Sequence, residues 1–308
     1  MRYSYNSIVA RCYVAGLLAA GLGSLSLGLT GCGDDTYNKA VADAPAPKPN
    51  VQLAISPTLG AFLADSVGNA VYFSALDADG ANSCTSAGCT PTWPVYYGGT
   101  VRVPNGLKSS DFTSKKTADG RSQTFYKGWP LYYFAPLASG TNTREAAGQT
   151  TGNGTGGVWH VVNPNYGVVL ARKAVENQTT KATAIKTFLV DGLGRTLYFF
   201  AKDDKNPSTL PNNCTGGCAA IWPAAALSAA ALPSTLKTAD FDSITRPGTT
   251  TTTPDGYGGT TTTTGASTQQ LTYKGRPLYY FAGDGQTRGR VTGDNLNSAG
   301  DLWFVATP

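Results

Sequence analysis

Beyond residue 50 the chain reads as short apolar and aromatic runs separated by Gly-containing turns. Residues 188–190 and 196–201 are such runs, and Asp191-Gly192-Leu193-Gly194 lies between them. This predicts a hairpin, with Gly supplying positive φ. Residues 123–126 and 131–134 form a second pair around Lys127-Gly128. Pro130 and Pro277 are placed at strand starts, where a missing N–H is tolerated. In Leu131-Tyr132-Tyr133-Phe134 both alternating faces are apolar or aromatic, so the strand needs cover on both sides. Core packing is the expected role of this stripe; an exposed aromatic groove is the other reading. Residues 224–232 favour helix by Ala content. Their counterpart, residues 95–103, carries Gly98-Gly99 and Val, which votes for extended chain. The Thr/Gly-rich residues 247–268 are expected to form a disordered surface loop, and residues 139–157 likewise.

Self-comparison shows a duplication. Phe62-Leu63-Ala64-Asp65-Ser66-Val67-Gly68, leading to Val71-Tyr72, matches Phe188-Leu189-Val190-Asp191-Gly192-Leu193-Gly194, leading to Leu197-Tyr198. Cys84, Cys89 and Trp93-Pro94 match Cys214, Cys218 and Trp222-Pro223. Leu107-Lys108 and Asp111-Phe112 match Leu236-Lys237 and Asp240-Phe241. Tyr126-Lys127-Gly128-Trp129-Pro130-Leu131-Tyr132-Tyr133-Phe134 matches Tyr273-Lys274-Gly275-Arg276-Pro277-Leu278-Tyr279-Tyr280-Phe281. Trp159-His160-Val161 matches Trp303-Phe304-Val305. A finer repeat lies inside each module. Tyr72–Asp77, Tyr198–Asp203 and Tyr279–Asp284 share one spacing, whereas Tyr132 has Leu137 at the acidic position. The expected fold is all-β: two tandem antiparallel modules, sandwich-like or closed, each made of two hairpin repeats. Residues 51–163 form the first module, 164–184 a linker and 185–308 the second module.

These motifs together resemble the bacterial secreted-repeat lipoproteins that carry a Tyr-x4-Asp motif, a family of unknown function. The resemblance spans both modules and implies no reaction. Cys84 and Cys89 depart from it, with four intervening residues where Cys214 and Cys218 have three.

The first forty residues carry an address. Arg2 and Arg11 precede an uncharged, apolar, Gly-rich stretch over residues 13–29, too short and Gly-rich for a spanning helix. It ends in Leu29-Thr30-Gly31-Cys32, which resembles a lipoprotein lipobox. Residues 1–31 are therefore expected to be a signal peptide, Cys32 the lipidated N-terminus, and the Pro/Ala-rich residues 32–50 a tether. Gly33 after the cysteine permits outer-membrane sorting in a Gram-negative cell. Otherwise the outer face of the cell membrane is the expected place.

Composition narrows the function classes. The net charge of +5 includes Arg2 and Arg11 of the leader and has no basic cluster behind it, which argues against nucleic acid. Apolar residues at 41% can build a core, which argues against global disorder. Export implies an oxidising compartment, so Cys84–Cys89 and Cys214–Cys218 are expected to be disulfides. Each closes a tiny loop, contributing about 2 kcal/mol by the chain-closure formula. Zinc held by the four cysteines and thiol redox exchange are the rivals. His160 is the one histidine, expected on a strand surface or half-buried, because its counterpart is Phe304. No nucleophile elbow, phosphate loop or His-Glu-x-x-His is present.

Asp77, Asp203 and Asp284 remain as candidate chemistry. They are expected to accept backbone N–H bonds in turns. The alternative is a Ca²⁺ site with Asp79 and Asp204 adding oxygens. Tyr72, Tyr132, Tyr198, Tyr279, Trp93 and Trp222 are the motif aromatics. The expected whole is a lipid-anchored envelope protein without catalytic residues or cofactor, structural or ligand-binding. Its expected partners are the membrane, through the lipid, and an envelope protein or polysaccharide. An envelope electron-transfer accessory is the alternative, and a hydrolase or isomerase the third.

Overall fold

The aromatic runs become strands too short to stand alone, and the fold joins them by exchanging hydrogen bonds between distant repeats. The computed structural model describes residues 48–203, 213–248 and 250–308. The expected signal peptide, Cys32 and nearly all of the tether lie outside the described residues.

The first module contains β1 (Val51–Ser56), β2 (Gly60–Asp65), β3 (Tyr72–Ser74), β4 (Phe112–Lys116), β5 (Ser122–Tyr126), β6 (Trp129–Pro130), β7 (Leu137–Ala138), β8 (Thr141–Asn142) and β9 (Trp159–Val161). The second contains β10 (Val168–Glu176), β11 (Thr183–Asp191), β12 (Tyr198–Phe200), β13 (Phe241–Arg246), β14 (Thr250–Pro254), β15 (Thr260–Thr264), β16 (Thr268–Tyr273), β17 (Arg276–Pro277), β18 (Leu296–Ser298) and β19 (Asp301–Val305). Every ladder between these strands is antiparallel. The all-β expectation holds, and the halves repeat one plan. Hairpin β1–β2 corresponds to β10–β11, the pair β3–β9 to β12–β19, and the meander β4–β5–β6 to β13–β16–β17. Among the described residues one α-helix, α1 (Gly217–Ile221), lies within and just beyond the second cysteine loop.

Local chemistry explains the turns. Lys127 and Gly128 both have positive φ, +47° and +82°, as do Lys274 and Gly275 at +48° and +77°. Two successive left-handed residues make the tight turn that matches strand twist. The Asp65 carboxylate accepts the N–H groups of Val67 and Asn69, and Asp191 accepts those of Leu193 and Arg195. Each aspartate thus closes its own hairpin turn.

Several expectations are corrected. Residues 164–184 are not a linker: β10 runs through them and pairs with β11 over nine residues, from Val168↔Asp191 to Glu176↔Thr183. The second module therefore begins with this hairpin. Residues 247–268 are not a structureless loop. Within them β14 and β15 pair, and Thr250 faces Thr264 and Thr252 faces Thr262 with hydroxyls 3.1 and 3.2 Å apart. The branched side chains suit a pleated ribbon even where nothing covers it. Residues 139–157 hold β8 and a 3-10 turn at Thr155–Gly157. Pro130 and Pro277 end their two-residue strands rather than start them. After Pro130 the chain makes isolated bridges through Tyr132 to Tyr72 and Val95. Residues 224–232 contain no helix, as the paired copies suggested.

The two modules pack within one unit that covers residues 47–308. β10 lies against the 3-10 turn Ala75–Asp77 of the first module. Arg288 reaches across, donating to the carbonyls of Ala78 and Lys127 at 3.0 and 2.7 Å while its guanidinium lies 4.6 Å over the Trp129 ring. Trp129 Nε1 in turn donates to Gly192 O at 3.0 Å. This junction is absent from the repeat plan. The bond Gly148 N–H to Gly68 O repeats as Gly289 N–H to Gly194 O, which sets Ala147 opposite Arg288, while Arg276 stands where Trp129 would.

Candidate functional site

The motif residues converge at the centre of each module. Tyr72 and Tyr132 exchange backbone hydrogen bonds in both directions at 2.9 Å, and Tyr198 and Tyr279 do so at 2.8 Å. A local two-fold relation thus passes between each tyrosine pair. The side chains then cross over. Tyr132 donates its hydroxyl to Asp77 Oδ2 at 2.6 Å, Tyr279 to Asp203 Oδ2 at 2.6 Å and Tyr198 to Asp284 Oδ2 at 2.5 Å. Each tyrosine therefore meets the aspartate of the other repeat. Tyr72 lacks that partner, because Leu137 occupies the position and is exposed. Its hydroxyl donates to Glu145 instead.

The second oxygen of each carboxylate is also engaged. Asp77 Oδ1 accepts the N–H and hydroxyl of Ser83 at 2.8 and 2.5 Å. Asp284 Oδ1 accepts both groups of Thr292, and Glu145 Oε2 both groups of Thr151. Asp203 Oδ1 accepts the N–H of Asn213 at 2.7 Å. The expected turn role of the aspartates is thus joined by a longer-range one, a bond to the opposite repeat. Burial raises Asp77 from 3.8 to about 6 against the bonds from Ser83 and Tyr132. Burial likewise raises Asp203 and Asp284. It also drives all four tyrosines upward, helped by their carboxylates.

The Ca²⁺ alternative finds no support here, because N–H and O–H donors occupy both oxygens of each aspartate. Asp79 instead pairs with Lys173 at 3.4 Å, and Asp204 lies outside the described residues. Among the described residues no group of three or more His, Cys, Asp or Glu side chains could hold a metal. The cysteines form the disulfides Cys84–Cys89 and Cys214–Cys218, so no free thiolates remain there for zinc or exchange. Each bridge sets up the following turn, in which Trp93 N–H bonds Cys89 O and Trp222 N–H bonds Cys218 O.

Those tryptophans fill the space around the tyrosines. Trp93 stacks on Trp159 with centroids 3.8 Å apart, and Trp222 on Trp303 at 3.9 Å. Tyr132 and Tyr279 stand edge-on to Trp159 and Trp303, each at 5.0 Å. Tyr72 and Tyr198 stand edge-on to Trp93 and Trp222, each at 5.5 Å. The aromatic stripe is core, as the two-faced pattern predicted. His160 is more buried than expected: its exposure is 0% and neither ring nitrogen has a partner. Burial lowers its pKa to about 4.

Glu145 was missed from the sequence, although the vacancy at Leu137 was a cue to search for another acid. Also missed were Asp65 and Asp191 as acceptors for Tyr133 and Tyr280, at 2.9 and 3.0 Å. Arg144 and Arg195 lie over those two rings at 3.5 and 4.4 Å. Both aspartates stand in the duplicated hairpin motif, which was the available signal.

Residues 179–226 and 260–307 match a family described as a secreted repeat of unknown function. The family read from the motifs is the family found, and the two segments cover the two repeats of the second module. A secreted repeat implies a location outside the cell or in its envelope. No curated protein and no solved structure matches the chain.

Proposed function

We propose, from a chain whose second half is built of the secreted repeat, that this protein is a lipid-anchored structural module of the cell envelope. Its modules are rigid bodies that present a surface. The observation that carries this reading is the crossed tyrosine–carboxylate arrangement, which spends the motif's polar groups on joining repeats. The four motif tyrosines and the four carboxylates they meet are satisfied internally. The lone histidine is sealed in the core. In this reading these groups act as fasteners between repeats.

Anchoring rests on Leu29-Thr30-Gly31-Cys32, with residues 32–50 as the tether. Lipid chains contribute roughly 0.8 kcal/mol per buried CH₂, so two or three acyl chains hold a protein durably. No helix among the described residues is long and apolar enough to cross a membrane. The presented surface meets an envelope protein or polysaccharide. The test is detergent phase separation of the full chain and Cys32→Ser, produced in a bacterium with lipoprotein processing. The parent enters the detergent phase and gains acyl mass, while Cys32→Ser stays aqueous. Equal partition of the two would overturn the anchor. Failure of the parent to sediment with purified envelope polysaccharide or with envelope proteins would overturn the binding role.

A further inference from the structure

The crossed centres contain more than a fastener needs. A buried tyrosine hydroxyl is satisfied by a backbone carbonyl, which brings no charge into the core. A carboxylate costs more to bury. Yet all four motif tyrosines donate to carboxylates. Where the motif aspartate is lost to Leu137, Glu145 supplies the carboxylate from a different position. What a carboxylate adds to a carbonyl is the capacity to take the proton.

Each pair also adjoins an indole stack. In the first module Trp93 and Trp159 are nearly parallel at 3.8 Å, Tyr132 contacts Trp159 edge-on, and the Tyr132 hydroxyl lies 2.6 Å from Asp77. The second module repeats this with Trp222, Trp303, Tyr279 and Asp203. Stacked indoles share a positive charge between two rings, which makes them easier to oxidise than one ring. A phenol is oxidised readily only when its proton has somewhere to go.

We propose that each module is a trap for one-electron oxidants of the carbonate- or peroxyl-radical class. The oxidant takes one electron from the indole stack and is reduced to its anion. The stack, now a radical cation, takes one electron from the adjacent tyrosine. The O–H bond of that tyrosine breaks and its proton passes to the carboxylate oxygen. The result is a neutral indole stack, a neutral tyrosyl radical and a carboxylic acid hydrogen-bonded to it. A small reductant of the thiol or ascorbate class returns one electron, and the carboxylic acid returns the proton to the phenol oxygen. The damage is thereby held at a reversible site inside the module. This activity is independent of lipid anchoring.

Pulse radiolysis of the purified protein with carbonate radical tests this. The tryptophanyl absorption should decay into tyrosyl absorption at a rate independent of protein concentration, and more slowly in D₂O. The Asp77→Asn/Glu145→Gln/Asp203→Asn/Asp284→Asn variant keeps an oxygen acceptor at each site but no base. Its conversion should slow by roughly a hundredfold, the usual effect of losing a positioned proton acceptor. If that variant does not fold, the pH profile of the parent serves. Conversion should weaken below about pH 6, where Asp77 is protonated before the transfer. The proposal fails if tryptophanyl persists in the parent. It also fails if conversion is insensitive to D₂O and to acid, or is unchanged in a folded variant.

Discussion

His160 offers a decisive perturbation, because the protein contains its own control. It lies in β9 opposite Phe73, and the equivalent register in the second module sets Phe304 opposite Phe199. The ring separations are 5.8 and 5.7 Å. The imidazole is fully buried with both nitrogens unpaired, and burial lowers its pKa from 6.5 to about 4. The unfolded chain therefore takes up the proton first. The stability linked to this group is complete above pH 6.5 and is lost as pH falls towards 4. At about 1.4 kcal/mol per unit, the loss amounts to about 3 kcal/mol. His160→Phe removes this dependence. It also removes unpaired polar atoms that cost about 1–3 kcal/mol, against a similar overpacking penalty from the larger ring. Those two effects do not vary with pH and cancel when the same pair of proteins is compared at two pH values. Asp77 titrates in the opposite sense: its pKa is raised from 3.8 to about 6, so its stability is present below 3.8 and lost as pH rises through 6. Both proteins carry Asp77, so it also cancels. Urea unfolding followed by tryptophan fluorescence should show the advantage of His160→Phe widening by about 2–3 kcal/mol between about pH 8 and about pH 4.5. Parallel stability curves would refute the reasoning.

Glu145→Ala strands the Tyr72 hydroxyl and the Thr151 N–H, and should cost about 1–3 kcal/mol in thermal unfolding. Tyr72→Phe should cost less in that background than in the parent, with a coupling of about 1 kcal/mol; additive effects would remove Glu145 from its assigned role. Arg288→Ala loses two bonds to carbonyls of the first module and the contact with Trp129, and should lower stability by about 2 kcal/mol. Calorimetry should then show a broadened or split transition, and a sharp single transition at the parent temperature would mean that the modules are held elsewhere. Replacing the β14–β15 ribbon by a short turn should leave the melting temperature within the effect of about 0.5 kcal/mol, because its residues are exposed on both faces.

What could be read from the sequence is what local chemistry decides. Asp191-Gly192-Leu193-Gly194 makes its hairpin because the carboxylate and the glycine act within five residues. The disulfides follow from short spacing and export. The duplicated Lys-Gly turns are legible because two positive-φ residues in succession admit few sequences. By contrast, β10 shares with β1 only the short Val-x-Leu-Ala opening, Val51–Ala54 against Val168–Ala171, at an offset different from the rest of the repeat, so the hairpin was lost between modules and taken for a linker. Its polar residue Arg172 is exposed, and the half-buried Lys173 meets Asp79 only after the modules pack. The Thr-rich ribbon misled through composition, since β-branched residues can pair without any apolar face. The turn role of Asp77 was accessible, but its bond to Tyr132 was not. That bond joins residues 55 positions apart and depends on the backbone exchange at Tyr72.

The crossing of partners explains why the unit of repetition is two repeats rather than one. A single repeat holds a tyrosine whose hydroxyl points away from its own aspartate and a carboxylate whose donor belongs to its neighbour. Alone it would bury an unpaired charge, a cost of several kcal/mol that its few strand bonds could not offset. Paired, each repeat satisfies the other, and the stacked tryptophans seal the exchange from water. The same logic accounts for the degenerate copy. With Leu137 at the acidic position, Tyr72 still requires an acceptor, and Glu145 supplies it with its longer side chain while taking from Thr151 the two bonds that Thr292 gives Asp284. What is maintained is the charge at the tyrosine oxygen, at whatever sequence position can deliver it. A spacing rule alone therefore undercounts the sites, and counting carboxylates within reach of each motif hydroxyl recovers all four.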